Sequence, residues 1–342
     1  MHALHHAAAA LPLAVAALGA GDAGGGTDVL VQQLVTGLSN GMIIALIAIG
    51  YTMVYGIIEL INFAHGDLCT LGAFLALTIA GALGMEAWVG ATNAAGVVVL
   101  LLSAAAFCAG LNWTIDRLVY RPLRNAPKLT LLVSAIGCSF ILVNVALFWG
   151  GLPMEVFSGG VSAAAPKDFP ELVSDRNLLG DGARVSFTHS DLLVLCVTLP
   201  LMVALTVLVR FTRLGKAMRA VAQNPTAASL MGIDVDRVIG ATFLIGGGLG
   251  GFASVIYALY NNTISFQMGY RTGMDAFTAA VLGGIGSMPG AVVGGLLIGV
   301  ARALSDGYIE ARWTNSVVFA ILIATLVFRP SGLLGAKLRD KV

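Results

Sequence analysis

Two short stretches bring together residue types able to handle a small solute. In the first, Glu59 to Asp67, the polar residues Asn62, His65 and Asp67 stand within six positions of one another between apolar runs. Polar side chains at membrane depth mark solute paths. His65 has no second His, Cys or paired carboxylate at ligand spacing, so a structural hydrogen bond is expected of it rather than metal binding or proton transfer. Asp67 precedes the apolar run from Leu68 and is placed to cap that helix. The second stretch, Gly283, Gly284, Gly286 and Ser287 before Pro289-Gly290, interrupts the apolar run 275–304. In lipid a broken helix is tolerated only where it faces protein or a water-filled cavity. Its freed N–H groups would suit a carboxylate and its freed carbonyls an ammonium. The alternative is that these glycines only permit close packing, as Gly246, Gly247, Gly248, Gly250 and Gly251 are expected to do. The candidate pathway residues are therefore Asn62, His65, Gly283, Gly284, Gly286 and Ser287. No nucleophile–base pair or metal-ligand set is visible, so no catalytic or metal site is expected. Cys69, Cys108, Cys138 and Cys196 read as buried small hydrophobes.

The elements that hold these residues follow from composition. The chain has 342 residues, 58% hydrophobic and 11% charged, against roughly 25% charged in a soluble domain. Mean hydropathy is +0.89, which one water-facing core cannot absorb, so the solvent for most of the chain is lipid. Lys+Arg number 19 against 18 Asp+Glu, with no basic stripe interleaved with aromatics, which argues against nucleic acid. Clear apolar runs cover 68–84, 87–111, 129–149, 191–209, 238–260 and 314–328. Two less regular runs, 29–58 and 275–304, carry internal glycines. Gly37-Leu38-Ser39-Asn40-Gly41 is expected to interrupt the first, and Ser287-Met288-Pro289-Gly290 to turn the second into a broken hairpin. The expected fold is all-α and polytopic, with about eight transmembrane helices and broken or re-entrant hairpins.

Orientation follows the positive-inside rule. Arg117, Arg121, Arg124 and Lys128 place the loop 112–128 in the cytoplasm, and Arg210, Arg213, Lys216, Arg219 and Arg237 place the loop 210–237 there too. The acid-rich segment 150–190 faces outward. Arg329, Lys337, Arg339 and Lys341 put the C-terminus in the cytoplasm. Residues 1–28 form a separate signal-like or first-span segment, and 29–342 a membrane-embedded domain. Lone acids Glu59 and Asp275, near span ends, are expected to meet water or headgroups.

The loop 210–237 reads as two short helices. Asn224 caps the second, Pro225 takes its first position and Gly232 its left-handed end. Its small and apolar residues lie outside the bilayer and call for a protein partner, or for lipid beneath an amphipathic helix. This loop resembles the coupling loop by which ABC importer permeases dock on their ATPase subunits. Val54-Tyr55-Gly56-Ile57-Ile58-Glu59-Leu60-Ile61-Asn62-Phe63-Ala64-His65-Gly66-Asp67, Arg219-Ala220-Val221-Ala222-Gln223-Asn224, Val281-Leu282-Gly283-Gly284-Ile285-Gly286-Ser287-Met288-Pro289-Gly290 and Phe328-Arg329-Pro330-Ser331-Gly332-Leu333-Leu334-Gly335 are together similar to the branched-chain amino acid ABC transporter permease family.

The resemblance runs from about residue 29 to 336. It implies a bacterial inner-membrane permease subunit that works with a second, homologous permease, two ABC ATPase subunits and a periplasmic or lipid-anchored substrate-binding protein. It also implies that Gly215, Ala217, Asn224, Pro225, Ala228, Met231 and Gly232 form the ATPase-coupling surface. No cofactor is expected in this chain, with ATP and Mg held by the partners, since no phosphate-loop motif occurs in it. A urea or short-amide importer permease, or a stand-alone channel or secondary carrier, are the rival expectations.

Overall fold

Backbone groups in lipid must be satisfied within their own segment, which favours helix for every span. The computed structural model describes residues 25–58, 62–85, 91–124, 126–160, 162–180 and 183–335. The segments 1–24, 59–61 and 336–342, which include Glu59 and the basic tail residues Lys337, Arg339 and Lys341, lie outside the described residues. The described chain is all-α apart from one two-residue strand pair.

Helix α1 covers Gly25–Ile58, α2 Ala64–Ala82, α3 Ala91–Ile115, α4 Lys128–Gly150 and α5 His189–Phe211. Two short helices, α6 (Arg213–Gln223) and α7 (Pro225–Leu230), precede α8 (Val235–Asn261), α9 (Met268–Gly283), α10 (Met288–Tyr308) and α11 (Thr314–Phe328). Among the described residues eight helical stretches are long and apolar enough to span a bilayer. The 16-residue α9 is shorter than these.

The connections sort to two ends. Strand β1 (Lys167–Asp168) pairs antiparallel with β2 (Thr263–Ile264), Lys167 opposite Ile264, which ties the 150–190 segment to the α8–α9 connection. Gln32 near the start of α1 joins this end through Ser186, whose N–H donates to its Oε1 at 2.6 Å. At the other end lie α6, α7, the α9–α10 turn and the segment after α11. There Leu333 N–H donates to the Leu282 carbonyl at 2.8 Å and Leu334 N–H to that of Gly283 at 2.9 Å.

Helices α1, α2 and α8 form the buried centre, while α4, α5 and α11 turn apolar residues such as Ile141, Phe148, Val203 and Ile323 outward, as lipid-facing helices do. Cys69, Cys108 and Cys138 are buried as expected, but Cys196 is exposed on the outer face of α5, because that helix touches the bundle along one stripe only. Three further expectations change. Residues 37–41 do not interrupt α1, which is continuous over 34 residues. Gly37 and Gly41 are there because α10 crosses α1 closely: they meet Val300, Gly299 and Leu296, and Gly295 meets Ala45. This is small-residue packing that only glycine permits at the crossing. Helix α1 starts at Gly25, so residues 25–28 continue into the first span. The hairpin turns at Gly284–Ser287, three residues earlier than expected, because Ser287 caps α10 by accepting from Gly290 N–H at 3.2 Å. Pro289 thereby falls in the first helical turn, where its missing N–H costs nothing.

A Cβ at Gly299 would overlap backbone atoms of Gly41 and Gly37, which cannot retreat as a flexible side chain could. Gly299→Leu is expected to cost more than the ~1–3 kcal/mol usual for overpacking and to remove the monodisperse species on size exclusion in detergent. Gly110→Leu, with nothing near its Cβ position, is expected to elute like the parent.

Candidate functional site

Helix α2 starts midway through the bundle. Asp67 in its first turn accepts a hydrogen bond from Ser139, which lies halfway along α4. His65 sits against Gly50 of α1 and Gly250 of α8, both well inside their spans. The level is set by glycines: Gly66 packs directly on the Gly269 and Gly273 backbone of α9, and Gly269 N–H donates to Thr70 Oγ1 at 2.9 Å. The N-termini of α2 and α9 therefore meet inside the membrane. Their N-cap residues, Phe63 and Gln267, make no side-chain capping bond.

This placement corrects two expectations. Asp67 does not cap α2, which begins three residues earlier at Ala64; its carboxylate instead points across to α4. His65 does not make the expected structural hydrogen bond, since neither ring nitrogen has a partner among the described residues, and its ring packs edge-on against Tyr51 at 4.9 Å between centroids. Asp67 Oδ1, Thr52 Oγ1 and Asn62 Nδ2 also lack partners. Buried polar atoms of this kind are few in folded proteins, and each calls for an explanation.

Three clefts follow the Tyr51–Ile57 stretch of α1, each against different neighbours. The largest, about 420 Å³, is lined by Tyr51, Phe63, Asp67, Ser139, Arg271 and Gly273, among others. A smaller one lies between Tyr51, Thr52 and Tyr55 of α1 and Phe277 and Ala280 of α9. A third, of about 90 Å³, joins Thr52, Gly56 and Gly286 to Met218 and Ala222 of α6. Of the six expected pathway residues, Gly286, at φ +91, is the one that lines any of these three clefts.

The other five are placed away from them. Asn62 accepts from the Tyr120 hydroxyl at 2.8 Å and His65 is enclosed behind Tyr51. Gly283 packs on the Gly290 backbone, Gly284 (φ +107) against Ser331 and Gly335, and Ser287 is the α10 cap. For Gly283 and Gly284 the close-packing alternative is the one the geometry supports.

Tyr120 reaches Asn62 from a π-helical turn, Asp116–Tyr120, which extends α3. Below it Arg124 binds Asp116 at 2.8 Å and also pairs with Asp236, which Arg121 holds at 2.6 Å. This lattice fastens the end of α3 to the start of α8, just after the short helices α6 and α7.

Those helices form as the sequence implies. Thr212 accepts from Gly215 N–H at 3.1 Å and Asn224 from Ala227 N–H at 3.0 Å; Pro225 is the first residue of α7, and Gly232 follows it at φ +80. Gly215 is buried against the Leu208 and Val209 carbonyls, where a Cβ cannot fit. The outward surface differs from the expected one. Ala228 is buried and Ala217 is turned half inward, whereas Leu230 and Met231 are 83% and 82% exposed. Asn224, Pro225 and Gly232 are exposed as well. Six residues of helix show one face to α8 and leave the other free, and Ala228 falls on the packed one.

Sequence reasoning missed Tyr51, Thr52 and Tyr55, which look like ordinary span residues, and the pair Asp275–Arg302. Arg302 Nη1 donates to both Asp275 carboxylate oxygens at 2.8 Å, so Asp275 is buried and paired rather than facing water. An arginine in an apolar run was the available signal, because such a charge requires a partner.

No solved structure matches the chain. Among curated proteins it is 41% identical over 318 residues to the high-affinity branched-chain amino acid transport system permease protein LivH of Escherichia coli (strain K12), covering 91% of this chain and 97% of that one. It is 38% identical over 322 residues to the permease protein BraD of Pseudomonas aeruginosa, with the same two coverages, and 28% identical over 302 residues to a probable LivH of Methanocaldococcus jannaschii, covering 86% and 89%. The family model described as branched-chain amino acid transport system / permease component matches residues 33–326. With the match spanning α1 to α11, this chain belongs to the branched-chain amino acid transport system permease family.

Proposed function

We propose that the chain is one of two permease subunits of an ATP-driven ABC importer for branched-chain amino acids in a bacterial cytoplasmic membrane. A second permease, two ABC ATPases and an external substrate-binding protein complete it. The observation that carries this reading is the α6–α7 unit: a capped, well-packed helix pair outside the spans, seated on α1 and α8, that offers bare Leu230 and Met231 to a partner. Apolar side chains presented this way mark a protein interface. The third cleft runs from this unit to Gly286 and Thr52, so motion at the loop reaches the pathway face directly.

The end carrying α6 and α7 also carries Arg121, Arg124, Arg213, Lys216 and Arg219, and basic loops stay cytoplasmic. The segment Ser331–Gly335 lies at that end, against Gly284, which supports a cytoplasmic C-terminus. ATP and Mg belong to the ATPases, since this chain carries no phosphate loop. The pathway runs along the Tyr51–Tyr55 face of α1 and the Gly269–Ala280 face of α9, with Gly286 at its inner end.

Substrate choice is tested in vesicles holding the complete complex. Labelled leucine is expected to accumulate and to be competed by isoleucine and valine but not by urea. Accumulation of labelled urea in place of leucine would contradict the reading.

A further inference from the structure

Asp67 is 2% exposed, lies midway along the span, and has one hydrogen-bond donor, Ser139, on one of its oxygens. The other oxygen has no partner, although the residue lines an open cleft of about 420 Å³. A carboxylate at membrane depth requires a cation or several donors to offset its lost hydration, and among the described residues one hydroxyl, that of Ser139, is what it has. The same cleft is lined by Arg271, which stands in the first turn of α9, where the Met268 and Gly269 N–H groups are already held by the Ser265 carbonyl and Thr70 Oγ1; its guanidinium is the positive pole that the cleft offers to an anion. Between these two poles the lining is Phe63, Ile136, Val143 and Met274. The volume falls within the roughly 300–1,000 Å³ of small-molecule sites.

We infer that this cleft is an intramembrane binding site for a free zwitterionic amino acid with a compact apolar side chain. The α-ammonium meets the Asp67 carboxylate, the α-carboxylate faces Arg271, and the side chain lies on the apolar lining. The inference rests on the transport reading above and deepens it, because it names the residues that hold substrate after release from the binding protein. An amide lacks both charges and a fatty acid lacks the ammonium, so neither fits both poles. Gly66, Gly269 and Gly273 then have a second role: their missing side chains bring the two helix starts together and so bring the poles within reach of one small molecule.

The test uses the full complex with a reporter thiol at the rim, Phe140→Cys in a Cys196→Ser background; the remaining cysteines are buried. Millimolar L-leucine is expected to slow maleimide labelling at least severalfold. Isoamylamine, which keeps the ammonium, is expected to protect weakly, and 4-methylpentanoate, which lacks it, not at all. Adding Asp67→Asn is expected to abolish leucine protection and to cut leucine accumulation in proteoliposomes at least tenfold while the ATPases still co-elute. Asp67→Glu, which keeps the charge, restores part of both and serves where the Asn variant does not assemble. Unchanged labelling with leucine, protection that survives Asp67→Asn, or protection by phosphatidylethanolamine in place of leucine would each overturn the site. If the parent complex accumulates leucine and the Asp67 variants do so equally, this site alone fails. If the parent accumulates no branched-chain amino acid, the transport reading fails instead.

Discussion

Arg302→Met is expected to destabilise the detergent-solubilised protein by about 3–5 kcal/mol, the usual result of stranding one member of a buried ion pair. Asp275 is 6% exposed, and Arg302 Nη1 bridges both its oxygens at 2.8 Å. Without the guanidinium the carboxylate lies between α9 and α10 with no cation, in a low-dielectric setting where its hydration cannot be recovered. Asp275→Leu strands the arginine, whose side chain is 26% exposed and keeps a 3.5 Å contact to Asn315, and is expected to be less harmful. The double variant Asp275→Leu/Arg302→Met is expected to recover most of the loss, because a buried pair contributes little beyond an apolar pair of similar volume. A thermal-unfolding cycle over the four proteins checks this. Additive losses in the double variant would show that the pair is not a unit. The consequence for transport is indirect: the pair fixes α9 to α10, and α9 carries Gly269 and Gly273, on which the first turn of α2 is seated.

Leu230→Glu/Met231→Glu is expected to weaken ATPase association by on the order of a hundredfold or more while leaving this chain folded. Two apolar anchors at an interface centre each contribute about 2 kcal/mol or more when lost, and every 1.4 kcal/mol is a factor of ten. Both side chains are more than four-fifths exposed, so their replacement disturbs nothing inside the chain. Ala228 gives a less informative test despite its place on the same helix: it is buried against the chain's own core, so a bulky charge there unfolds α7 and confounds docking with stability. Gly232→Ala sits between the two, with a left-handed backbone at φ +80 whose strain is roughly 1 kcal/mol. Co-purification of tagged ATPases from mild detergent is the measurement. Undiminished recovery with the double Glu variant would remove α7 from the docking surface.

Much of this architecture was legible in the residues, and the pattern of success is physical. Spans and loops are read from solvent preference, a property of each segment alone, and the charge pattern of the loops sorts them to the two ends that the strand pair and the Leu333–Leu282 bond define. Helix caps are likewise local, so Asn224, Pro225 and Gly232 were readable as the limits of α7. The depth of α2 is different. It depends on Gly66 meeting Gly269 and Gly273 some two hundred residues away, so the cap expected of Asp67 and the hydrogen bond expected of His65 could not be judged from neighbours in sequence. Glycine itself is ambiguous. Gly37 and Gly41 suggest a break when read alone, yet they lie in an unbroken helix because Gly295 and Gly299 need them there. Arg302 was the overlooked clue, since a charge inside an apolar run predicts an acidic partner without saying which.

The claim on which the account rests is that this chain moves solute only when a separate motor drives it. The most direct measurement compares proteoliposomes containing this chain alone with proteoliposomes containing the assembled complex and binding protein, each with and without MgATP on the ATPase side. Labelled leucine is expected to accumulate above its external concentration in one condition, the assembled complex with MgATP, and the chain alone is expected to be inert. Sustained accumulation by the chain alone without nucleotide would contradict the account.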